Sequence, residues 1–304
     1  MEQMGPYTLL ERIGAGGMCE VFRARRAEAA VDVALKRLHA EMEQRPDVVD
    51  LFLTEADVAV LLEHPNLVTT FESGEADGRY YIAMELIDGL DLGRALRLAV
   101  SRDVIMDFPL ALHIVSEICR GLAYLHAARS PAGRPFGLVH RDVSPENIFL
   151  TSAGGVKVAD FGLAKLGALE SVTSVYGTVK GKLSYLSPEQ LRGDHIDGRA
   201  DLFAAALILY ELITGHRPYA RREEESEAAH ALRVRDADIP RARKLEPELP
   251  RALDRALAKA LHRKPKRRFA DCNAFVAALD EIARAQPEPR GSQHVAELVG
   301  ALQS

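Results

Sequence analysis

The chain of 304 residues is 47% hydrophobic and 27% charged, a composition typical of a soluble globular protein. Its formal net charge of −5 and the lack of a dominant basic stripe argue against nucleic acid as a partner. The basic run KPKRR at 264–268, with the exception of Arg268, is interpreted as a solvated helix boundary. The cysteines Cys19, Cys119 and Cys272 lie far apart without a CxxC pair, which argues against zinc or a disulfide framework and favours reduced thiols in the cytoplasm.

The apolar stretches predict neither a signal peptide nor a membrane segment. The N-terminus carries a charge at Glu2 and lacks the apolar core of a signal peptide. The longest apolar stretch, residues 202–213, is interrupted by Glu211 and is too short to cross a bilayer, so it predicts a buried helix.

Strands and one helix are predicted for the N-terminal part of the chain. Residues 7–14 and 20–26 flank a glycine turn and predict a hairpin. Residues 31–38 predict a third strand, and residues 67–87 predict two more strands around an Asp-Gly turn. Apolar residues at helical spacing predict a helix over 47–63, which the sequence HPN ends.

After Gly89 the pattern changes to helices. Residues 91–100 and 110–128 have helical periodicity. In the second of these segments, five apolar residues form one stripe: Leu112, Val115, Ile118, Leu122 and Leu125. Short strands are predicted at GLVH, residues 137–140, and within residues 147–160.

Together these patterns predict an α+β fold of two lobes. The β-rich N-lobe is expected at about 1–87 and the larger α-helical C-lobe at about 91–283. Residues 284–304 begin with a Pro-rich break and end in a short amphipathic run, so they are predicted to be an appended C-terminal tail. The sequence leaves open what this tail docks on.

A glycine-rich turn lies in IGAGGMCEVF, residues 13–22. Gly14, Gly16 and Gly17 would let the backbone approach triphosphate oxygens and point its N–H groups at them. By itself this is a weak signal, since glycine-rich hairpins are common. In the phosphate-binding pattern G-x-G-x-x-G, Gly14 and Gly16 occupy the first two glycine places and Cys19 occupies the third. Because the first two glycines allow most of the close approach, ATP binding is expected to be weakened rather than lost. A redox-sensitive thiol and a simple small-residue replacement are both open interpretations of Cys19.

VALK at 33–36 ends a predicted strand with Lys36. A lysine in such a place usually extends to solvent. With the glycine turn before it and Glu55 on the following helix, Lys36 is predicted to hold the α- and β-phosphates while Glu55 holds Lys36. Glu63 is the competing partner, but it lies beside the helix-ending HPN.

HRDVSPEN at 140–147 and DFG at 160–162 supply the oxygen groups of a phosphoryl-transfer site. Asp142 is predicted to accept the proton of a substrate hydroxyl. Asn147 and Asp160 are predicted to bind magnesium, which prefers hard oxygen ligands. An isolated HRD or DFG tripeptide indicates little. The glycine loop, VALK, Glu55, HRD-x4-N and DFG in this order form a specific pattern.

On these motifs the chain resembles the eukaryotic-like protein kinases over residues 7–283. The wording HRDVSPEN, the segment GKLSYLSPEQ and the insert SPAGRPFG resemble the bacterial serine/threonine branch. The resemblance implies the bilobal protein-kinase fold, with ATP and Mg²⁺ (Mn²⁺ as an alternative) and phosphorylation of Ser/Thr hydroxyls of proteins. It also implies autophosphorylation through transient self-association of two copies.

The family's nucleotide-binding positions fall on eight further residues. These are Ile13, Val21, Ala34, Met84, Glu85, Ile87, Asp91 and Phe149. The resemblance implies a gatekeeper at Met84, hinge backbone groups at Glu85 and Ile87, and a ribose contact at Asp91. Three side chains would sandwich the adenine ring: Val21, Ala34 and Phe149. Core packing is the alternative reading, and for Ala34 and Phe149 both can hold.

SPE at 187–189 resembles the APE that closes a kinase activation segment. The resemblance implies that Glu189 pairs with Arg268 and fastens this segment to the C-lobe. Asp201 resembles the aspartate that anchors the catalytic-loop backbone, and an exposed helix N-cap is the alternative.

The catalytic loop has Ser144 where serine/threonine kinases usually carry a lysine. In the family that lysine steadies the γ-phosphate and contacts a threonine just before APE, and here Lys182 occupies the threonine position. The hypothesis is that Lys182 delivers its ammonium to the site that Ser144 vacated and so acts in catalysis. A solvated loop charge or a substrate-site residue is the alternative.

Arg141, directly before Asp142, implies control by phosphorylation of the activation segment. The candidate acceptors are Ser171, Thr173, Ser174, Tyr176 and Thr178. Of these, Thr173 and Thr178 are the first choices for autophosphorylation.

Three functional classes follow from the sequence. An active Ser/Thr protein kinase is the leading reading. A pseudokinase acting as a nucleotide-binding scaffold is the alternative, favoured by Cys19 and Ser144. A small-molecule kinase ranks last, because such enzymes lack the activation segment that SPE and Arg268 imply.

Overall fold

The computed structural model describes residues 2–27, 31–160, 182–220, 225–236 and 239–304. Within these residues the N-lobe is a six-stranded antiparallel sheet with the order β1–β2–β3–β4–β6–β5. Its strands are β1 (Gln3–Met4), β2 (Tyr7–Ala15), β3 (Cys19–Arg26), β4 (Asp32–Leu38), β5 (Thr70–Ala76) and β6 (Arg79–Glu85). Two helices follow β4: α1 (Ala40–Glu43) and α2 (Pro46–Ala59).

The C-lobe combines a small sheet with the remaining described helices. The sheet has the order β7–β8–β9, formed by β7 (Gly89–Asp91), β8 (Ile148–Thr151) and β9 (Val156–Val158). The helices are α3 (Leu92–Arg102), α4 (Phe108–Ala127), α5 (Pro188–Arg192), α6 (Arg199–Thr214), α7 (Glu227–Asp236), α8 (Arg251–Ala260), α9 (Cys272–Arg284) and α10 (Ser292–Gln303). The predicted two-lobed α+β architecture is confirmed.

A hydrophobic cluster holds α2 against the N-lobe sheet. Leu38 of β4 packs with Phe52 and Ala56 of α2. Side chains alternate along a strand, so Lys36 lies on the same face of β4 as Leu38. Glu55 precedes Ala56 on α2 and is buried. The cluster therefore brings Glu55 and Lys36 towards each other.

Helix α6 is the centre of the C-lobe. Thirteen of its sixteen residues are buried, and it packs against α4, α8 and α9. A helix that is apolar around its whole circumference belongs in a core. The buried helix that the sequence predicts over 202–213 is confirmed.

Helix α4 contributes the predicted apolar stripe to the same core. All five stripe residues are at most 1% exposed: Leu112, Val115, Ile118, Leu122 and Leu125. Among the described residues, α4 is also the one helix long and apolar enough to cross a membrane. Since 67% of its apolar stretch is buried inside the protein, α4 is a core helix of the C-lobe.

The prediction of a strand at GLVH, residues 137–140, was wrong. Residues 137–140 have no regular structure. Gly137 has a φ of 67°, which breaks an extended run. The amide of His140 donates to the carboxylate of Asp201 rather than to a neighbouring strand.

The tail, residues 284–304, packs into the C-lobe through α10. Its buried residues lie against α3, α4 and β8: Val295, Leu298, Val299 and Leu302. Gly154, in the turn between β8 and β9, has a φ of 90°, and a Cβ there would lie 2.1 Å from the carbonyl oxygen of Ser292. Arg290 binds Asp107, the N-cap residue of α4, at 2.7 Å. The tail thus packs on α3, which Asp91 caps, and on β8, which directly follows Asn147.

Candidate active site

The cleft between the lobes brings Lys36 and Asp160 into contact. Lys36 Nζ lies 2.7 Å from Asp160 Oδ1 and 3.8 Å from Glu55 Oε1. Burial disfavours the charge on the lysine, but the carboxylates of Asp160 and Glu55 outweigh it and raise the pKa of Lys36. The predicted Lys36–Glu55 pair is present as the longer contact. Glu63 forms no ion pair with Lys36, and its backbone N–H donates to the Tyr124 hydroxyl at 3.2 Å.

The glycine loop joins β2 to β3 and has room above its backbone. A Cβ on Gly14 would meet its nearest neighbour at 3.6 Å, and one on Gly16 at 3.8 Å. Neither residue has a positive φ. Within the described residues, therefore, nothing in the protein itself requires glycine at these positions. The open space fits a ligand that approaches the backbone closely.

Cys19 lies beneath this loop in an apolar environment. It packs in the same cluster as Leu38 and Phe52 and is 9% exposed. Burial raises the pKa of the thiol to about 11, although the charge of Lys36 opposes this. A thiol with such a pKa is protonated and weakly reactive at neutral pH. The geometry favours the small-residue interpretation over a redox-sensitive one.

Hydrogen bonds gather the three predicted oxygen-bearing side chains at one end of β8 and β9. Asn147 Nδ2 donates to the backbone oxygen of Asp142 at 2.8 Å and to its Oδ2 at 3.3 Å. The Ala159 N–H donates to the backbone oxygen of Asn147 at 2.9 Å, directly before Asp160. His140 Nε2 lies 3.0 Å from the Ala159 carbonyl oxygen. Asp142, Asn147 and Asp160 are therefore held by one local network.

Asp201 holds the catalytic-loop backbone from within α6. It is 1% exposed, and its two carboxylate oxygens accept the N–H groups of His140 and Arg141 at 2.8 Å each. His126 Nε2 lies 2.7 Å from Asp201 Oδ2. Burial opposes the charge of Asp201, but the contacts with His126 and the loop amides lower its pKa. The anchoring role is present in place of the exposed N-cap alternative.

Two residues of the site adopt left-handed backbone conformations. Arg141 has a φ of 65° and Asp160 a φ of 55°, which costs a non-glycine residue about 1–2 kcal/mol. Around Arg141 this cost is offset by the Asp201 contact and by Gln190, whose Nε2 donates to the Arg141 carbonyl at 2.9 Å. Gln190 directly follows SPE, so the end of the activation segment is tied to the catalytic loop.

The predicted ion pair between Glu189 and Arg268 is present and buried. The guanidinium binds the carboxylate through two contacts, at 2.5 and 2.7 Å, with side chains 3% and 0% exposed. Arg268 also lies over the ring of Phe203 at 4.5 Å. Removing one partner of such a pair costs about 3–5 kcal/mol, because the other charge stays buried.

The hinge positions present different backbone groups. The N–H of Glu85 donates to Thr69 O at 2.9 Å, and its carboxylate accepts from Lys157 Nζ at 2.8 Å. The backbone of Ile87 forms no hydrogen bond within the described residues. The backbone groups of Ile87 are therefore available to a ligand, whereas the N–H of Glu85 is already used within the N-lobe.

The remaining positions for which the resemblance implies nucleotide contacts lie on strands of the two sheets. Ala34 pairs with Met84 across β4 and β6. Phe149 pairs with Asp91 across β7 and β8, and Asp91 also caps α3 by accepting the Arg94 N–H at 2.7 Å. In the glycine loop, Val21 pairs with Gly14 across β2 and β3, and Ile13 is 48% exposed.

Parts of the prediction lie outside the described residues. These are the Phe and Gly of DFG, the side chain of Lys182, and the candidate acceptors Ser171, Thr173, Ser174, Tyr176 and Thr178. Lys182 itself begins a 3-10 turn, Lys182–Tyr185. Ser144 is 1% exposed, and its Oγ has no hydrogen-bond partner among the described residues.

The oxygen groups of the site suit a cation that also binds phosphate. Within the described residues, no three His, Cys, Asp or Glu side chains lie close enough to hold a metal ion unaided. Asp160 and the amide oxygen of Asn147 could supply two ligands, because the Asn147 NH₂ group is already directed at Asp142. A site of few protein oxygens completed by phosphate and water is typical of magnesium.

Sequence reasoning missed three contacts of this site. His126 and Gln190 support the catalytic loop, and Lys157 holds the Glu85 carboxylate. His126 and Gln190 lie 75 and 49 residues from their partners. Their only sequence signal is a polar residue on an otherwise apolar helix or beside a motif.

His126 is expected to stay protonated well above neutral pH. Burial disfavours the imidazolium, but the hydrogen bond and charge of Asp201 overcome this and raise the pKa of His126 to about 10. Its stabilising effect should be complete below a pH of about 6.5, the value for an unfolded chain, and should vanish as the pH rises towards 10. NMR titration of the ring would give the pKa directly, and a His126→Gln variant should lose this pH-dependent part of the unfolding free energy.

A ring that titrates near pH 6.5 in the wild-type protein would contradict this assignment. So would a stability difference between wild type and His126→Gln that does not change between pH 6.5 and 10.

Comparison with known proteins agrees with this geometry. Residues 7–278 match the protein kinase domain family. MasK, a tyrosine-protein kinase of Myxococcus xanthus, is 39% identical over 92% of this chain and 43% of its own length. PknL, a serine/threonine-protein kinase of Mycobacterium bovis, is 37% identical over 93% of this chain and 68% of its own length.

The solved structures show the same fold. The PknI kinase domain of Mycobacterium tuberculosis aligns with a TM-score of 0.70 and 29% identity, covering 93% of this chain and 98% of that domain. The chain spans less than half the length of MasK and of the serine/threonine-protein kinase Pkn1 of Myxococcus xanthus, where the alignment covers 43% and 39%. The chain belongs to the protein kinase family, in the eukaryotic-like branch found in bacteria.

Proposed function

We propose that this chain transfers the γ-phosphoryl group of ATP to serine and threonine hydroxyls of proteins, including its own activation segment. The observation that carries the proposal is the contact of Lys36 with Asp160 across the cleft, beside the Asp142–Asn147 network. These four residues combine a cation for phosphates, oxygens for a metal and an acceptor for a proton. Family membership supports the same reaction class.

Lys36 would bind the α- and β-phosphates of ATP. Its ammonium is already positioned by Glu55 and Asp160, and its raised pKa keeps it charged. The open glycine loop would cover the triphosphate, and the free backbone groups of Ile87 would contact adenine. The nucleotide is thus held at both ends before transfer.

Asp160 and Asn147 would hold Mg²⁺, or Mn²⁺ in its place. When bound, the ion would bridge phosphate oxygens and neutralise charge during transfer. The network through Ala159 fixes these two residues relative to each other. Two oxygen ligands held at a fixed spacing bind a cation better than two mobile side chains would.

Asp142 would orient the acceptor hydroxyl and take its proton. The hydroxyl oxygen forms a bond to the γ-phosphorus while the bond to the β–γ bridging oxygen breaks. The proton passes to the Asp142 carboxylate, and ADP leaves with the electron pair of the broken bond. Asn147 Nδ2, 3.3 Å from Asp142 Oδ2, helps to fix the carboxylate.

Lys182 would supply the positive charge that Ser144 does not. Two observations support this role: the exchanged residue types, and the buried Ser144 Oγ without a hydrogen-bond partner among the described residues. An unsatisfied buried hydroxyl costs about 1–3 kcal/mol. An ammonium directed at Ser144 would remove that cost and lie beside the transferring phosphoryl group.

Tyrosine is a second acceptor class for this enzyme. It is favoured by the name of MasK, a tyrosine-protein kinase with 39% identity to this chain. Ser144 also removes the loop lysine that marks serine/threonine kinases. Serine and threonine lead because the other relatives described above, Pkn1 and PknL, are named as serine/threonine kinases.

Asp142→Asn should greatly slow phosphoryl transfer while the fold and ATP binding remain. The amide has nearly the shape of the carboxylate but cannot accept the proton, so the rate should fall by about 10²–10⁴-fold. Incubation with γ-labelled ATP and Mg²⁺, followed by phosphoamino-acid analysis, measures both rate and acceptor. Phosphoserine or phosphothreonine is expected from the wild type. Phosphotyrosine alone would replace the acceptor assignment, and labelling of Asp142→Asn at the wild-type rate would contradict the role of Asp142.

Lys182→Thr should lose about 10²-fold in turnover, because it removes charge stabilisation of the transferring group. The double variant Ser144→Lys/Lys182→Thr, which restores the usual family arrangement, should recover most of this loss. Lys180→Thr, a lysine two residues away in the same segment, is the matched control and should stay near wild type. Equal rates for wild type and Lys182→Thr, both folded, would remove the exchange hypothesis.

A further inference from the structure

The positive charge of this acidic protein is concentrated in one region of the C-lobe. Residues 241–268 contain eleven lysine and arginine residues and only three carboxylates, in a chain with a net charge of −5. Nine of these cations are exposed: Arg241, Lys244, Arg251, Arg255, Lys259, Arg263, Lys264, Lys266 and Arg267. We call this set the basic surface.

Helix α8 gathers these charges on one face. Arg251, Arg255 and Lys259 are spaced four residues apart, so they project from the same side of the helix. The opposite side is buried against α6 and α9. The guanidinium of Arg241 and the backbone N–H of Arg243 donate to Asp254 from the turn that packs beside α8. This contact places Arg241 and Lys244 beside the helix.

The turn after α8 continues the surface. Lys264, Arg267 and Arg268 lie close enough to His262 for their charges to act on it. Arg268 forms an ion pair with Glu189, and Arg241 forms one with Asp254. Within the described residues, six of the exposed cations form no ion pair with a carboxylate: Arg251, Arg255, Arg263, Lys264, Lys266 and Arg267.

We propose that the basic surface docks this kinase domain on an anionic lipid bilayer. Clusters of four to eight basic residues bind anionic headgroups, each residue contributing about 1 kcal/mol near the surface. The acidic remainder of the chain would be repelled, so the domain would dock in one orientation. Leu245, which is 40% exposed next to Lys244, could enter the headgroup region.

The composition of the surface favours a bilayer over single-stranded nucleic acid. Single-stranded nucleic acids are bound by aromatic side chains that stack on bases. Between residues 241 and 268 there is no aromatic Phe, Tyr or Trp at all, and the nearest, Phe269, is buried under Lys259. The charges lie on an outward helix face and the turns beside it, which suits a flat, laterally mobile set of headgroups.

Docking there would leave the cleft free. Lys36 belongs to β4, Asp142 to the catalytic loop and Asp160 to the segment directly after β9. Helix α8 packs instead on α6, α9 and the turn Ala242–Lys244. The surface therefore shares no residue with the catalytic site, and binding can be tested without ATP.

The test is sedimentation of the purified chain with vesicles of 30 mol% phosphatidylglycerol in phosphatidylcholine, compared with pure phosphatidylcholine. The wild type should bind only the anionic vesicles and should release them at high salt. Arg251→Gln/Arg255→Gln/Lys264→Gln should weaken binding on the order of a hundredfold, since three contributions of about 1 kcal/mol are lost.

The matched control removes the same charge elsewhere. Arg45→Gln/Arg134→Gln/Arg235→Gln should bind vesicles like the wild type, because these exposed arginines lie outside the basic surface. Both triple variants should keep the wild-type melting temperature and labelling rate.

Three results would overturn the proposal. They are no binding to anionic vesicles, equal loss in both triple variants, or full displacement from vesicles by stoichiometric polyglutamate or duplex DNA. The last would assign the surface to an acidic protein segment or to nucleic acid. None of these outcomes depends on whether the chain transfers phosphate.

Discussion

The contact between Lys36 and Asp160 is the interaction on which the site depends. It joins β4 of the N-lobe to the segment directly after β9 in the C-lobe at 2.7 Å, so residues 124 positions apart meet in one place. Neither charge is stable alone in a partly buried cleft. Each carboxylate near Lys36 raises its pKa, and the resulting cation is what a triphosphate requires. In the proposed reaction, bound phosphates would take over the ammonium and free Asp160 to hold a metal.

The C-lobe side of that contact is rigid because buried charges hold it. Asp201 ties the amides of His140 and Arg141 to the apolar helix α6. Glu189 and Arg268 fix the end of the activation segment to the same lobe, and Gln190 links that end to the catalytic loop. The left-handed backbone of Arg141 is thus maintained by groups on two separate elements. Polar anchors of this kind act at a distance from chemistry, by fixing where Asp142 can be.

The sequence predicted those parts of the site that are encoded locally. Asp142 and Asn147 lie within one loop, and the lobes follow from a change of periodicity near Gly89. Contacts between distant segments were predicted only where a family motif marked both partners, as for Glu189 and Arg268. The strand at GLVH failed because an apolar run does not reveal that its amides bind a carboxylate. The docking of α10 emerges only when segments separate in sequence pack together. The cations of residues 241–268 are visible in the sequence, but which of them are exposed is shown only by the fold.

The account is tested most directly by the effect of magnesium on nucleotide binding. Calorimetric titration with a non-hydrolysable ATP analogue, with and without Mg²⁺, should be made on the wild type and on Asp160→Asn. Magnesium should tighten binding to the wild type by at least about tenfold, or 1.4 kcal/mol, and should have little effect on Asp160→Asn. Equal magnesium effects in both proteins, or no binding of the analogue to the folded wild type, would contradict a metal-chelated triphosphate between Lys36 and Asp160.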